Sequence, residues 1–183
     1  MERDKNKILQ FRRISILFCI VLGTILHFTY AWSNENSIVA AFSAVNESVW
    51  EHLKLVFFPM LITSIIGFIW IGKNIPNYWC IRLFSIAIAI GFITTFFYTY
   101  TGIIGQNFAV LDIGSFVVAI VLAEYYAYYQ LIKQTSKTCH SGIAIMLLVI
   151  LFLAFVCFTY QTPRIAYFMD SITNAYGIHM DEG

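Results

Sequence analysis

The chain has 183 residues, 60% of them hydrophobic and 11% charged, with a net charge of +1 and a mean hydropathy of +0.76. Soluble domains carry about 25% charged residues, so a soluble globule is excluded, and the near-neutral balance gives no reason to expect nucleic acid as a partner. The composition predicts an all-α integral membrane protein, a single polytopic domain over residues 1–183 whose first partner is the lipid bilayer.

A hydrocarbon core of about 30 Å takes about 20 helical residues, and five apolar stretches reach that scale: about 14–31, 53–72, 83–101, 108–132 and 143–160. No small-residue cleavage site follows the first, which reads as a retained helix rather than a removed signal peptide. Short cytoplasmic loops collect Lys and Arg. With the N-terminus inside, Arg3, Lys5, Lys7, Arg12, Arg13, Lys73, Arg82, Lys133 and Lys137 are cytoplasmic, which leaves Lys54 and Arg164 outside and the C-terminus extracytoplasmic. The expected location is the cell membrane, multi-pass. Between the first two spans, Trp32 to Val45 lacks a cation and has an apolar core at Ile38–Phe42, which predicts an interfacial or re-entrant segment. Cys19 and Cys157 lie within spans, and Cys80 and Cys139 on the cytoplasmic side where thiols stay reduced, so all four are expected to be packing residues. His140 reads as a solvated loop histidine.

Sorted by depth, the polar residues of the spans gather toward the outer leaflet. His27 lies near the outer end of the first span; Glu47, Glu51, His52 and Lys54 open the second; Tyr98, Thr99, Tyr100 and Thr101 close the third; Asp112 is about one turn into the fourth. Ionisable groups there cost free energy and mark function by default. At about 100° per residue, a helix running through Glu47 would place Glu47, Glu51 and Lys54 on one face, with His52 turned away from Glu51. Ser48-Val49-Trp50-Glu51 also fits a capping box, the structural reading of one glutamate. Glu47, Glu51 and Asp112 are therefore the candidate catalytic groups, and Lys54, Tyr98, Tyr100, Trp50 and Asn46 the candidate ligand-binding residues. His27 and His52 are candidate ligands for a divalent metal such as zinc. No His-Glu-x-x-His is present. Glu124 lies deeper on the fourth span, either as a structural carboxyl or as a proton relay toward Asp112, and the tyrosines that follow it read as an aromatic belt. The Thr99-Tyr100-Thr101-Gly102 stretch is a poor match to a potassium filter.

The run Phe42-Ser43-Ala44-Val45-Asn46-Glu47-Ser48-Val49-Trp50-Glu51-His52-Leu53-Lys54-Leu55, followed by Phe57-Phe58-Pro59, resembles the signature of a family of small bacterial integral membrane proteins of unknown function. His27 with Tyr30, Tyr98–Gly102, Asp112 and the tail Asp170–Ile178 are similar to other recurring parts of that family, and His179–Gly183 departs from its pattern. The resemblance implies a membrane protein and no particular activity.

Three functions remain in order of preference. The first is a membrane-embedded enzyme acting on a lipid or lipid-linked substrate, with Glu47 or Glu51 as acid/base and Lys54 holding an anionic headgroup. The second is a proton-coupled small-solute carrier, which without an inverted repeat would need a homo-oligomer or a larger partner. The third is a non-catalytic ligand-binding or assembly protein that uses the outer cluster to hold a ligand; under any of the three, the tail, with Arg164, Asp170, Tyr176 and His179, is expected to fold back over the cluster as a cover. No Gly-rich phosphate loop is present, which argues against a nucleotide-driven machine.

Overall fold

A computed structural model describes residues 2–133 and 139–178. Its elements are α1 (Glu2–Trp32), α2 (Ser37–Ala40), α3 (Val49–Gly67, extended by a π-helical turn over Phe68–Gly72), α4 (Tyr78–Ile104), α5 (Ala109–Lys133) and α6 (Ser141–Tyr160). Five of these helices are long and apolar enough to cross a membrane. Strand pairing among the described residues is limited to one antiparallel bridge, Met169 to Tyr176. Each expected span is found, and most run further than their apolar core, because helical backbone bonding continues into the polar residues that flank hydrocarbon.

α3 is the central helix: 56% of its most apolar window is buried, against 22% for α1 and for α6. Its aromatic residues Phe57 and Phe58, with Trp50, interlock with Phe152, Phe155 and Phe158 of α6. α1 and α5 close the other side, α1 packing on α3 and α5. Pro59 interrupts α3 and has no N–H to give the carbonyl of Leu55, four residues earlier. That carbonyl lies against α1 at Gly23, where an added Cβ would stand only 2.5 Å from it. Only glycine allows so close an approach of the two helices.

Arg82 corrects the cation count. It is not a loop residue but a fully buried one on α4. Its guanidinium donates to Glu124 of α5 through Nη1 at 3.1 Å and Nη2 at 2.8 Å, and to Ser64 and Thr63 of α3. Ser15 of α1 donates to the same carboxylate at 2.9 Å. One ion pair thus joins four helices, and every member is hydrogen-bonded, the condition under which a charge pair persists out of water. Glu124 is a structural carboxylate held by Arg82, and a proton relay from it to Asp112 gains no support. Toward the cation-rich end, Arg12 packs over the rings of Tyr125 and Tyr128, and Lys133 over Tyr129.

The cysteines bring a second correction. Cys19 is a buried packing residue, but Cys80 and Cys139 form a disulfide across 59 residues of sequence. Both lie at helix starts on the same end of the bundle, where α4 meets α6, a juxtaposition that loop assignment alone does not reveal. In protein purified without reductant, maleimide is expected to reach these two thiols only after reduction. Labelling of both before reduction would show that the bond does not form.

Candidate functional site

The chain between α1 and α3 folds onto the end of the bundle opposite the cation-rich turns. Asn36 caps α2 by accepting from the Ile38 N–H at 2.9 Å, and Ser43 Oγ ties the segment to α1 by accepting from the Tyr30 N–H and donating to the Leu26 carbonyl. The main clasp comes from α3. Lys54, fully buried, donates to the carbonyls of Ala40 at 2.9 Å and Ser43 at 3.1 Å and pairs with Glu51 at 2.5 Å. Glu51 in turn accepts from the Val45 N–H at 3.1 Å and from Thr159 of α6. Both residues are spent on holding this segment, and neither is on the wall of the cavity described below. A headgroup contact through Lys54 therefore has no geometric support.

The helix begins at Val49, with Ser48 as N-cap accepting from the Glu51 N–H at 3.3 Å. Half of the expected capping box is thus present. Glu47 precedes the helix, so it does not share a face with Glu51. Instead its carboxylate turns toward two imidazoles, His52 Nε2 at 3.3 Å and His27 Nε2 at 3.8 Å. One ligand atom from each of His27, Glu47 and His52 lies within 4.8 Å of the others.

The tautomer of His52 makes this geometry informative. Its Nδ1 is 2.9 Å from the Ser48 carbonyl, which only accepts, so Nδ1 carries the hydrogen. In the neutral ring Nε2 is then a bare lone pair facing a carboxylate. That arrangement is repulsive unless a positive charge stands between them, either a proton on Nε2 or a metal ion. A backbone carbonyl on the far ring nitrogen is the usual device for orienting a metal-bound histidine. Two imidazoles and one carboxylate match the three-ligand sets of catalytic zinc, which leave a position open for water. The neighbouring His52 ring, donating when protonated, also holds the Glu47 carboxyl below its usual range against partial burial.

The triad forms the polar end of a cavity of about 530 Å³ between α1, α3, α4 and α5, whose deeper wall includes Leu55, Ile93, Phe97 and Phe116. Asp112 stands on the same wall, its Oδ1 accepting from the Tyr100 hydroxyl at 2.5 Å. Tyr100 itself accepts from the Phe108 N–H, which locks the pair at the start of α5.

The tail crosses over this end. Asp170 accepts from the Glu47 N–H at 3.0 Å and from the N–H groups of Ile172 and Thr173 at 2.7 and 2.9 Å. Burial alone would raise the Asp170 carboxyl, but these backbone donors outweigh it and hold it below its usual range. Ser171 donates to the Glu47 carbonyl, and Ile172 reaches the cavity. The tail therefore fixes the backbone of the very residue that faces the two histidines. Tyr176 pairs with Met169, Arg164 is exposed, and His179 lies outside the described residues.

The other candidates lie off the wall of this cavity. Asn46 accepts from the Ser48 N–H and donates to the Gly177 carbonyl; Trp50 is enclosed by Phe155, Phe158 and Phe168; Tyr98 stacks on Tyr167. Tyr167, beyond the spans, has its hydroxyl pKa raised by burial. Sequence reasoning missed Gly23, Thr24, Asn107 and Ser115 on the cavity wall. Three of these had a signal: Gly23 and Thr24 are four and three residues before His27, and Ser115 is three after Asp112, the spacings that share a helix face.

Five helices long and apolar enough to cross a membrane, four of them around a polar-ended cavity, define a multi-pass helical membrane protein. The chain belongs to the family of unknown function DUF6512, whose model matches residues 1–178. No curated protein and no solved structure matches it.

Proposed function

We propose that this protein is a metal-dependent membrane-embedded enzyme of the cell membrane that acts on a lipid or lipid-linked substrate. The observation that carries the reading is the convergence of His27, Glu47 and His52, within 4.8 Å of one another, at the mouth of a cavity with an apolar interior. A divalent ion held by the triad would lower the pKa of a bound water and polarise a substrate oxygen. Asp112, on the same wall and fixed by Tyr100, is the general base. The cation bias supports an orientation in which this end of the bundle faces the outer leaflet, while the Cys80–Cys139 disulfide at the other end counts against a reducing compartment there.

The test is turnover. Zinc-loaded protein in nanodiscs is incubated with a total bacterial lipid extract, and products are sought by mass spectrometry. Wild type is expected to convert one lipid class, chelation to abolish conversion, and Asp112→Asn to slow it by about 10²–10⁴-fold with metal still bound. Conversion that Asp112→Asn leaves untouched contradicts the assignment of the base, and no metal-dependent conversion of any class contradicts the enzyme.

A further inference from the structure

Of the three groups that converge at the mouth of the cavity, two are carried by regular helices and one is not. His27 is on α1 and His52 on α3, whose backbones are fixed by their own ladders of hydrogen bonds. Glu47 lies in the irregular stretch before Ser48, the N-cap of α3, and beyond Val45, the last residue that the Lys54–Glu51 clasp holds. Among the described residues its own N–H and carbonyl meet one element alone, the tail. Asp170 Oδ2 accepts from the N–H at 3.0 Å, and Ser171 Oγ donates to the carbonyl at 3.2 Å. The neighbouring Asn46 donates to the Gly177 carbonyl at 3.2 Å.

The tail is folded for this grip. The Asp170 N–H donates to the Ala175 carbonyl at 2.9 Å, the Asn174 N–H donates to the Asp170 carbonyl at 3.0 Å, and Met169 pairs with Tyr176, so residues 169–176 close into a loop. Within it Asp170 divides its carboxylate. Oδ1 takes the N–H groups of Ile172 and Thr173, which ties the loop together, while Oδ2 is left to Glu47. Ser171 Oγ also accepts from Asn107, in the turn between α4 and α5, at 3.2 Å, and Asn107 and Ile172 both line the cavity. Docking of the loop over the mouth and fixing of the Glu47 main chain are therefore the same event.

From this we infer that tail docking and divalent-metal binding are coupled: Asp170 and Ser171 are positioning residues for the Glu47 carboxylate, and a metal held by the triad holds the tail on the cavity mouth in return. The inference rests on the metal reading above and adds the regulation of that site. Metal–ligand distances tolerate only about ±0.2 Å, so a carboxylate on an untethered backbone drops out of the set and leaves two imidazoles, one ligand short of a catalytic zinc site. Groups that orient a metal's ligands without touching the metal cost about 10–100-fold in affinity when removed. Coupling of this kind is reciprocal, so the factor that the docked tail adds to metal affinity is the factor that bound metal adds to docking. Release of the tail thereby uncovers the cavity and weakens the triad's hold on the metal together.

Two measurements on the full chain in detergent decide it: zinc affinity against a competing chelator, and amide hydrogen exchange over residues 170–177 with and without zinc. Asp170→Asn is the separating variant, because its one carbonyl oxygen can keep the two N–H bonds of the loop while an NH2 group replaces the acceptor for Glu47. Asp170→Asn and Ser171→Ala are expected to bind zinc about 10–100-fold more weakly, with the Tm of the metal-free protein close to that of wild type. In wild type, zinc is expected to slow exchange at the Ile172 and Thr173 N–H groups by at least about tenfold, and His52→Ala should abolish that slowing. A tail that serves stability alone would lower the metal-free Tm and leave both the zinc affinity and the exchange insensitive to each other. That result overturns the inference and leaves the metal site standing, and the wild-type exchange shows it even if neither variant folds. A wild type that binds no zinc overturns the reading beneath it.

Discussion

Glu124→Ala is expected to lower the stability of the protein by about 3–5 kcal/mol, because it leaves the Arg82 guanidinium buried among four helices without its counter-charge. The loss is that of an orphaned charge rather than of a contact. Arg82→Ala should fall in the same range, since a bare carboxylate would then remain. The double variant Arg82→Leu with Glu124→Leu should recover much of it, as replacing both members of a buried pair by apolar groups is often close to neutral. Unfolding in detergent, followed by denaturant midpoint, compares the two single variants with the apolar pair. Single variants as stable as wild type would show that the pair does not exist in the folded protein.

Lys54→Ala should be about as damaging by a different route. The ammonium satisfies the Ala40 and Ser43 carbonyls and the Glu51 carboxylate at once, and each buried acceptor left unpaired costs about 1–3 kcal/mol, more for a charged one. The Val45 N–H also depends on Glu51. When the clasp opens, the segment carrying Glu47 loses its anchor on α3. Lys54→Ala is therefore expected both to lower the Tm and to weaken metal binding, although Lys54 is not a ligand. Glu51→Gln keeps the hydrogen bond to Val45 and should be the milder of the two. A stable Lys54→Ala protein with unchanged metal content would show that the segment stands without the clasp.

Much of this architecture is legible in the sequence because the bilayer imposes one strong constraint, the length of an apolar helix. The five spans and the gathering of His27, His52, Glu47 and Asp112 at one depth follow from hydropathy and counting. The sequence could not show which polar residues face each other across helices. Arg82 sits a few residues inside α4 and looks like a loop cation, but the helix starts at Tyr78 and turns it inward. Glu47 and Glu51 are four apart, a helical spacing, but Ser48 caps the helix between them and sends the two carboxylates to different tasks. The pairing of Cys80 with Cys139 depends on α4 and α6 being neighbours, which no local pattern encodes.

The most direct measurement is the metal content of detergent-purified protein by mass spectrometry, wild type beside His52→Ala and Glu47→Ala, each shown to be folded by its thermal transition. Near-stoichiometric zinc or another divalent ion in the wild type, lost in both variants, is the predicted result. A folded wild type that carries no metal under metal-replete purification would contradict the account, and would assign the positive charge between His52 and Glu47 to a proton.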